Sequence, residues 1–582
     1  MTPFLRAGHA LLCAAVIGVA SPACYTAGNG TSPPMNSFYF PTALTVSSGG
    51  NVLFAINSDF DLQWNGGTLQ SYDLFKIRRD TATLIQANVA RASSAPVGIP
   101  FLPNPSGGSG WVQDCLDQPP PAVGNSFGLQ LQQGCAPPVD STQYVRDSAI
   151  VGAFATDLQV SNHGTRLLSP VSGNATVTWA DIIADDPNVP PPEGSSPAYA
   201  PFAFDCGVRV DQRCDGLHAA GSDPNQAGNT RNVTMPGEPF GMAQSQDGTV
   251  IGVTSETEVA TSLLTTGLGP GSGPIMEFVL QGVPTGGVAI AAVPHDRNAV
   301  VRCEDRFDEA PCVRQAFLQT SRNTAEVDLD RYYDDDGHDP AGPSASTLKR
   351  PFLVKERAYT VNSNLGGSDF RGIAIDPTPR LRCEQLHLDS PAACGQIPAR
   401  VFIASRTPPT LVVGQIGLTS DIDGSYDPDG FRVTGNIPLP AGPSKVYLAP
   451  VVVADYPGAP TLHYELRVFV VLFDSSGIAV INPDLPPPLL DHEYISTGPG
   501  PFALAFDPFD WNDVAAQRAV PADPRLPANL GLGRYRFAYV ASFTQSFVQV
   551  IDLEDSLATQ GQTYEKVVFN LGGPSYPVGQ TP

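Results

Sequence analysis

Two acidic segments carry the side chains best suited to hold a metal ion. The segments DIDGSYDPDG (421 to 430) and DLDRYYDDDGHD (328 to 339) set carboxylates at nearly alternate positions beside glycine. Hard oxygen ligands in this pattern suit Ca²⁺, which accepts six to eight oxygens in a flexible geometry. Neither segment is an EF-hand, because the twelfth position holds Ala345 or Pro438 instead of a bidentate Glu. The candidate ligands are Asp421, Asp423, Asp427, Asp429, Asp328, Asp330, Asp334, Asp336 and Asp339. The alternative is that both segments are solvated acidic loops without an ion.

Eight of the ten cysteines fall into close sequence pairs. The pairs are Cys115 with Cys135, Cys206 with Cys214, Cys303 with Cys312, and Cys383 with Cys394. Disulfides persist where no thiol buffer reduces them, so this spacing predicts an exported, oxidised protein with local disulfides in its surface loops. Such bridges either only stabilise long loops or also hold those loops as a binding face, since loops on a rigid scaffold commonly carry recognition. The sequence leaves both readings open.

Residues that could perform catalysis are sparse. A P-loop, an HExxH pair and a CxxC motif are absent, and the eight histidines are scattered singly. His163 falls in a predicted hairpin turn, while His295, His338 and His492 each stand beside an acidic residue. A lone His next to a carboxylate in a loop is usually exposed and without a role. We therefore assign no catalytic residue and expect a protein without enzymatic activity.

The N-terminal residues 1 to 23 have the organisation of a secretory signal. Residues 1 to 10 contain one Arg and no acid, an apolar run covers 11 to 20, and small residues precede Cys24. The apolar run is too short to remain as a helix across a hydrocarbon core of ~30 Å. We therefore expect the mature protein to be exported and to contact a membrane only through an anchor.

This segment resembles a bacterial lipoprotein signal, with Ser21 where that family usually has Leu. The resemblance implies lipidation of Cys24, a flexible tether over 24 to 37, and attachment to the outer membrane on its periplasmic or cell-surface face. The even number of remaining cysteines agrees with removal of Cys24 from disulfide chemistry. The alternative is ordinary cleavage after Ala23 or Ala27.

Composition favours strands and excludes nucleic acid as a partner. The 582 residues include 56 Gly and 58 Pro, which suit turns between short strands and disfavour helices. The formal net charge is −24 and no basic run occurs, whereas phosphate binding depends on clustered Lys and Arg. An anionic membrane surface is excluded as a partner for the same reason.

Seven strand pairs recur along the chain. Three of them share a Ser followed three residues later by Gly, which predicts a hairpin between two apolar strands. These three are TVSSGGNVLFAINS (45 to 58), QVSNHGTRLLSPVS (159 to 172) and AQSQDGTVIGVTS (243 to 255). The other four pair segments 287 to 294 with 315 to 322, 372 to 379 with 399 to 406, 445 to 455 with 466 to 484, and 503 to 510 with 536 to 542.

Repetition of this kind predicts an all-β protein with a single β-propeller, most simply of seven blades. The run RFAYVASFTQSFVQVIDL (536 to 553), with YEKVVFNLGG (564 to 573), resembles the YVTN-type and lactonase-like propellers. The predicted domain spans 38 to 575, with a tail over 576 to 582. Surplus length is assigned to loop insertions at about 92 to 148, 183 to 236 and 323 to 366, and an eighth blade within 75 to 148 is the alternative.

The leading interpretation is a non-enzymatic envelope lipoprotein, a monomer whose propeller presents loops to a protein or glycan partner. Ca²⁺ is the one cofactor that the sequence suggests. Because some propellers of the resembled family open lactones, a lactone or ester hydrolase with an axial pocket is the second interpretation. A purely structural role in the envelope is the third.

Overall fold

The computed structural model describes residues 30–92, 139–192, 199–268, 272–294, 315–334, 350–361, 369–416, 431–454, 461–491, 494–526, 533, 536–555 and 563–572. Within these residues the chain forms seven sheets, each with an antiparallel body built from one stretch of sequence. In every sheet the first strand lies innermost, and neighbouring sheets pack face to face around a common axis. The predicted seven-bladed β-propeller is confirmed.

The strand bounds follow chain order from the inner to the outer strand of each blade. Blade 1 has Pro41–Val46, Val52–Asn57, Thr68–Asp73 and Val145–Ile150; blade 2 has Gln159–Val160, Arg166–Val171, Thr176–Ile182 and Ala219–Ala220. Blade 3 has Pro239–Gln244, Val250–Ser255, Ala260–Thr265 and Ile275–Gln281; blade 4 has Gly287–Ala292, Gln315–Ser321, Glu326–Tyr333 and Phe352–Thr360. Blade 5 has Asp369–Asp376, Ala399–Thr407, Pro409–Ile416 and Arg432–Pro438. Blade 6 has Pro443–Ala454, Leu462–Leu472, Gly477–Asn482 and Leu489–Leu490; blade 7 has Pro501–Phe506, Phe537–Ser542, Phe547–Asp552 and Lys566–Gly572.

Short elements complete the sheets. Phe204–Asp205 extends blade 2, Ile495–Ser496 extends blade 6, and Glu554–Asp555 runs parallel to the inner strand of blade 6. The described residues include four α-helices: α1 (Leu74–Ala92), α2 (Thr378–Gln385), α3 (Pro391–Gly395) and α4 (Trp511–Ala515). Single 3₁₀ turns occur at Ser141–Gln143, Ser172–Asn174, Ala200–Phe202 and Gly216–His218.

The shared Ser and Gly of the first three repeats build the same hairpin. In blade 1 the Ser47 hydroxyl accepts a hydrogen bond from the Val52 amide at 2.9 Å, so it holds the returning strand. The glycine three residues after the Ser has a φ of 74°, 71° or 71° in the three hairpins, at Gly50, Gly164 and Gly248. A side chain is disfavoured at such a φ, and the recurring Gly is therefore a requirement of the turn.

Helix α1 was not expected. Asp73 caps its first turn by accepting a hydrogen bond from the Lys76 amide at 2.9 Å. Its buried face carries Leu74, Ile77 and Arg78, at the spacing of a helix, but one of these is charged. The helix begins where an eighth blade was considered, and the described part of 75 to 148 holds no further blade.

Residues 323 to 366 are not a loop insertion as predicted. They contain Glu326–Tyr333 and Phe352–Thr360, the third and outer strands of blade 4. The acidic composition of this segment suggested a solvated loop, but its carboxylates Asp328 and Asp330 point between blades and alternate with the buried Val327 and Leu329. The described part of the predicted insertion 92 to 148 includes the beginning of the outer strand of blade 1, at Val145. The described part of the predicted insertion 183 to 236 includes the loop that follows the third strand of blade 2.

The ring closes between blade 7 and blade 1. The strand Val139–Asp140 pairs in parallel with the outer strand of blade 7, at Leu571 and Gly572. Arg78 of α1 is fully buried and forms ion pairs with Asp523 at 2.9 Å and Asp507 at 3.3 Å, which belong to the blade 7 segment. Apolar side chains of both blades form one cluster that includes Leu44 and Tyr539. This closure encloses the axis on which the candidate site lies.

Candidate functional site

The propeller axis contains a cavity of about 970 Å³. Inner-strand residues of all seven blades line it, as expected when inner strands run side by side around an axis. The volume lies in the range of small-molecule sites. Representative wall residues from successive blades are Leu44, Gln159, Met242, Ile290, Ile373, Lys445 and Ala503.

Phenylalanines surround one end of this cavity, the end at which the inner strands begin. The Phe60 and Phe543 rings lie 5.2 Å apart, and Phe502 lies 5.5 Å from Phe543, measured between ring centroids. Phe60 is 56 % exposed, so this aromatic mouth opens to solvent. Edge and tilted ring contacts of this kind fix the rings in place. The aromatic mouth comprises Phe60, Phe473, Phe502 and Phe543, which line the cavity, together with Phe40 and Phe154, whose rings contact Phe60.

Two arginines in the cavity wall have carboxylate partners. Arg371 pairs with Asp369 at 2.5 Å, and Arg406 pairs with Asp474 at 2.6 Å. Both pairs are partly exposed, so each contributes little to stability. Their charges are locally balanced, and neither arginine brings an unmatched positive charge to the cavity.

Lys445 is different, because it lines the cavity and no described carboxylate is in ion-pair contact with its ammonium. It donates to the carbonyl oxygens of Thr42 at 3.5 Å and Thr156 at 3.4 Å, which belong to blades 1 and 2. Its Nζ lies 4.7 Å from the centre of the Phe502 ring. Burial lowers the pKa of Lys445, and the charge of Asp157 partly offsets this effect.

The backbone at Lys445 is held closely against blade 5. A Cβ on Gly372 would come within 2.5 Å of the Ser444 carbonyl oxygen and 2.9 Å of the Lys445 Cα. Only a residue without a side chain permits this approach. The position of the ammonium is therefore set by the packing of the inner strands.

Two carboxylates reach the cavity, and one of them is committed to structure. Asp507 accepts hydrogen bonds from the amides of Arg536 and Phe537, each at 2.9 Å, and from the Tyr539 hydroxyl at 2.8 Å. Asp157 accepts only from the Leu158 amide at 2.9 Å and, more weakly, from its neighbour Gln159 at 3.4 Å. Asp157 is consequently the carboxylate of the cavity wall that remains available to a ligand.

A second candidate surface is the loop closed by the Cys206–Cys214 disulfide. The bridge is present, with an S–S distance of 2.02 Å, and Cys206 is fully buried. Backbone hydrogen bonds join the loop to Ile150 of blade 1, from the Ile150 amide at 2.8 Å and back to its carbonyl at 3.0 Å. Arg209 adds an ion pair to Asp147 at 2.8 Å. The loop is thus fixed to the outer strand of blade 1 at several points.

Despite this anchoring, the loop turns large aliphatic side chains to solvent. Val208 is 76 % exposed and Val210 is 67 % exposed, and Leu217, three residues after the second cysteine, is 82 % exposed. We refer to these three residues as the stapled-loop patch. Exposed apolar side chains are common singly, but two on a disulfide-closed loop with a third in the turn that follows it are a feature of binding surfaces.

The Cys383–Cys394 disulfide is also present and joins α2 to α3. Between the two helices, Leu386 and Leu388 are 46 % and 65 % exposed. This loop lies on blade 5, well separated around the ring from the stapled-loop patch on blade 2. The remaining predicted disulfide cysteines, Cys115, Cys135, Cys303 and Cys312, lie outside the described residues, as does Cys24.

The predicted calcium ligands are only partly described. Asp328 and Asp330 lie on a strand and face blade 3, with Lys355 paired to Asp328 at 3.1 Å. Burial raises the pKa of Asp330 well above its usual range, and the nearby Asp328 adds to this effect. The Asp334 carboxylate accepts a short hydrogen bond from the Tyr332 hydroxyl. The candidates outside the described residues are Asp336, Asp339, Asp421, Asp423, Asp427 and Asp429.

Within the described residues, no group of three or more His, Cys, Asp or Glu side chains is placed to hold a metal ion. The calcium sites therefore stay predictions. His163 lies exposed in a hairpin turn as expected, and His295, His338 and His492 are outside the described part. Among the helices that are described, none is both long enough and apolar enough to cross a bilayer.

No protein-family model matches the sequence, and no curated protein is significantly similar to it. Solved structures align over most of the chain at low identity. A putative 6-phosphogluconolactonase from Bacteroides uniformis is 10% identical with a TM-score of 0.40, covering 79% of this chain and 87% of its own. The hydrazine synthase of Kuenenia stuttgartiensis is 11% identical with a TM-score of 0.40, covering 91% and 99%. The periplasmic gluconolactonase of Pseudomonas aeruginosa is 13% identical with a TM-score of 0.30, covering 69% and 86%. Identities this low give no indication of a shared activity.

Sequence reasoning did not find the axial site. Lys445 stands in an apolar strand, and its orientation toward the axis depends on the ring closing. The phenylalanines of the aromatic mouth are more than 500 residues apart at their extremes, from Phe40 to Phe543. The sequence does contain one signal for this site. Lys445 is one of only five lysines in the chain, and it stands inside an apolar strand, where a charged residue is unusual.

Proposed function

We propose that this protein is a non-enzymatic binding protein of the cell envelope, anchored through Cys24, that docks a protein partner on the stapled-loop patch. The observation that carries the proposal is the exposure of Val208 and Val210 on a loop held by a disulfide, and of Leu217 in the turn that follows it. Aliphatic side chains favour a protein partner over a glycan, because a glycan is bound through aromatic faces and hydrogen-bonding groups rather than through valine and leucine.

The rigidity of the loop supports binding. The disulfide, the Ile150 backbone bonds and the Arg209 to Asp147 pair fix its conformation before a partner arrives. A preformed surface loses less conformational entropy on association than a loop that must first become ordered. Burying three such side chains is favourable by ~25 cal/mol per Å² of apolar surface, so the patch can act as an anchor within a larger interface.

The test is site-specific photocrosslinking from the loop in intact envelopes, followed by comparison of two variants. We expect Val208→Asp combined with Leu217→Asp to abolish the crosslinked partner, because a charge at the centre of an apolar contact is strongly unfavourable. Val189→Asp is the matched control, since Val189 is 48 % exposed and lies outside the patch. Capture that survives the double substitution, or that the control abolishes equally, refutes the docking site. An adduct with glycan alone refutes the protein partner.

A lactone or ester hydrolase is the second candidate, and three observations favour it. The axial cavity is large enough for a small substrate, and Asp157 lies available in its wall. In addition, the segment GNSFG (124 to 128) has the GxSxG spacing of a nucleophile elbow, although it lies outside the described residues. Turnover of gluconolactone that is lost on Asp157→Asn or Ser126→Ala, with the fold intact, would establish the hydrolase and overturn the non-enzymatic proposal.

A further inference from the structure

We infer that the axial cavity binds a small organic acid whose carboxylate pairs with Lys445 and whose apolar body lies against the phenylalanines of the aromatic mouth. This inference does not depend on the stapled-loop patch. It rests on the charge balance of the cavity, on its wall chemistry and on its access.

Charge balance identifies an anion. Among the cationic side chains of the described cavity wall, Arg371 and Arg406 are paired with Asp369 and Asp474. Lys445 donates to neutral carbonyl oxygens, and Asp157, whose charge acts on it, is not in ion-pair contact with it. Those hydrogen bonds, at 3.4 and 3.5 Å, are long for a charged donor, which usually reaches ~2.7 to 2.9 Å. An ammonium inside a cavity whose hydrogen-bond partners are long and neutral is incompletely compensated, and a carboxylate is the ligand group that compensates it.

The surroundings of Lys445 identify the rest of the ligand. Phe502 lies directly beneath the ammonium, and Phe473 and Phe543 continue the apolar wall toward solvent. A carboxylate seated at Lys445 would therefore extend an apolar or aromatic body through the aromatic mouth. Asp157 places a second requirement on the ligand. Its carboxylate would accept a hydrogen bond from a hydroxyl or amine of the ligand, and it would repel a second acid group.

The cavity's dimensions and access agree with a small ligand. Its volume of about 970 Å³ exceeds that of a phenyl-substituted acid, and the exposed Phe60 shows that the mouth is open. A phosphate or sulfate ester is a poorer fit, since one lysine offers no bidentate arrangement and Asp157 opposes additional negative charge.

Calorimetric titration of the full chain with 3-phenylpropionate and with its neutral amide tests the inference. We expect the acid to bind about ten-fold more tightly than the amide, the size of effect that a hydrogen-bonded charge pair produces. Lys445→Met should reduce affinity for the acid to that for the amide, and Lys445→Arg should retain the preference. Lys355→Met is the control, because Lys355 pairs with Asp328 away from the cavity and its loss should leave binding unchanged.

Equal affinity for acid and amide, undiminished binding of the acid by Lys445→Met, or no binding of the acid at millimolar concentration would each overturn the inference. If Lys445→Met fails to fold, a pH series on the wild-type chain decides the question. Because the pKa of Lys445 lies below the usual value of 10.5, binding of the acid should weaken as alkaline pH removes the ammonium charge, whereas binding of the amide should not.

Discussion

Glu277 provides a quantitative test of the interface between the blades. It lies on the outer strand of blade 3 and is only 7 % exposed. Burial raises its pKa from 4.5 to about 7, and Arg231 opposes the rise only in part. The folded state therefore holds the proton more tightly than the unfolded chain, so the stabilising contribution is complete below pH 4.5 and is lost as the pH rises through about 7.

The pKa difference, 7 − 4.5 = 2.5, corresponds to ~3 kcal/mol of unfolding free energy, at ~1.4 kcal/mol per pKa unit. Glu277→Gln cannot ionise, and we expect it to be more stable than the wild type by ~2 to 3 kcal/mol at about pH 8 and equal to it near pH 4. For 582 residues, an unfolding entropy of ~2.1 cal/mol/K per residue converts this to a rise in Tm of about 2 °C.

The assay is thermal melting of the two proteins across this pH range, with Glu238→Gln as the control because Glu238 is exposed. We expect the control to follow the wild-type curve. A Glu277→Gln protein that is less stable than wild type at pH 8, or whose Tm difference is the same at both pH values, would refute the assignment of a buried, protonatable carboxyl.

Three further predictions concern the ring, its loops and its ions. Arg78→Ala should lower the unfolding free energy by ~3 to 5 kcal/mol, because it takes the arginine away from the buried Asp507 and leaves the buried Asp523 with Arg525 alone. Urea denaturation measures this loss, and a loss below ~1 kcal/mol would contradict the prediction. Replacing Cys206 and Cys214 with Ser should cost ~2 to 3 kcal/mol, as estimated for a loop of 8 residues; an unchanged melting curve under otherwise identical conditions would count against a stabilising bridge. If 328 to 339 or 421 to 430 holds Ca²⁺, added calcium should raise the Tm and a chelator should reverse it, whereas identical midpoints would remove calcium as a structural ion.

The strand pairs were predictable because their signal is local. A Ser hydroxyl that holds the returning strand and a Gly at positive φ act within one hairpin, so Ser47 and Gly50 mark it in any context. Local strand patterns of this kind located the inner strand pairs of all seven blades. The repetition of seven such pairs then predicted their arrangement around a common axis. The local disulfides Cys206–Cys214 and Cys383–Cys394 were predictable for a similar reason, since short sequence separation brings their partners together.

Other features depend on long-range contacts that no local pattern contains. Helix α1 escaped notice because Arg78 occupies its buried face, and that arginine is tolerated only because Asp507 and Asp523 meet it from the far end of the chain. The acidic strand Glu326–Tyr333 has the composition of a loop, because carboxylates are seldom buried between sheets. The axial site required knowing which face of each inner strand points inward.

The way the ring closes determines where partial unfolding should begin. Each blade keeps its own complete ladder, whereas the described backbone pairing between blade 7 and the blade 1 segment is confined to Leu571 with Val139 and Gly572 with Asp140. Blades 7 and 1 are also the neighbouring pair that is not consecutive in chain order. Separating them breaks few main-chain bonds and detaches only Val139–Asp140 from the blade 7 sheet. Opening below the global unfolding free energy should therefore begin at this boundary, and amide hydrogens of Val139 to Asp140 and of the facing outer strand should exchange before those of the inner strands.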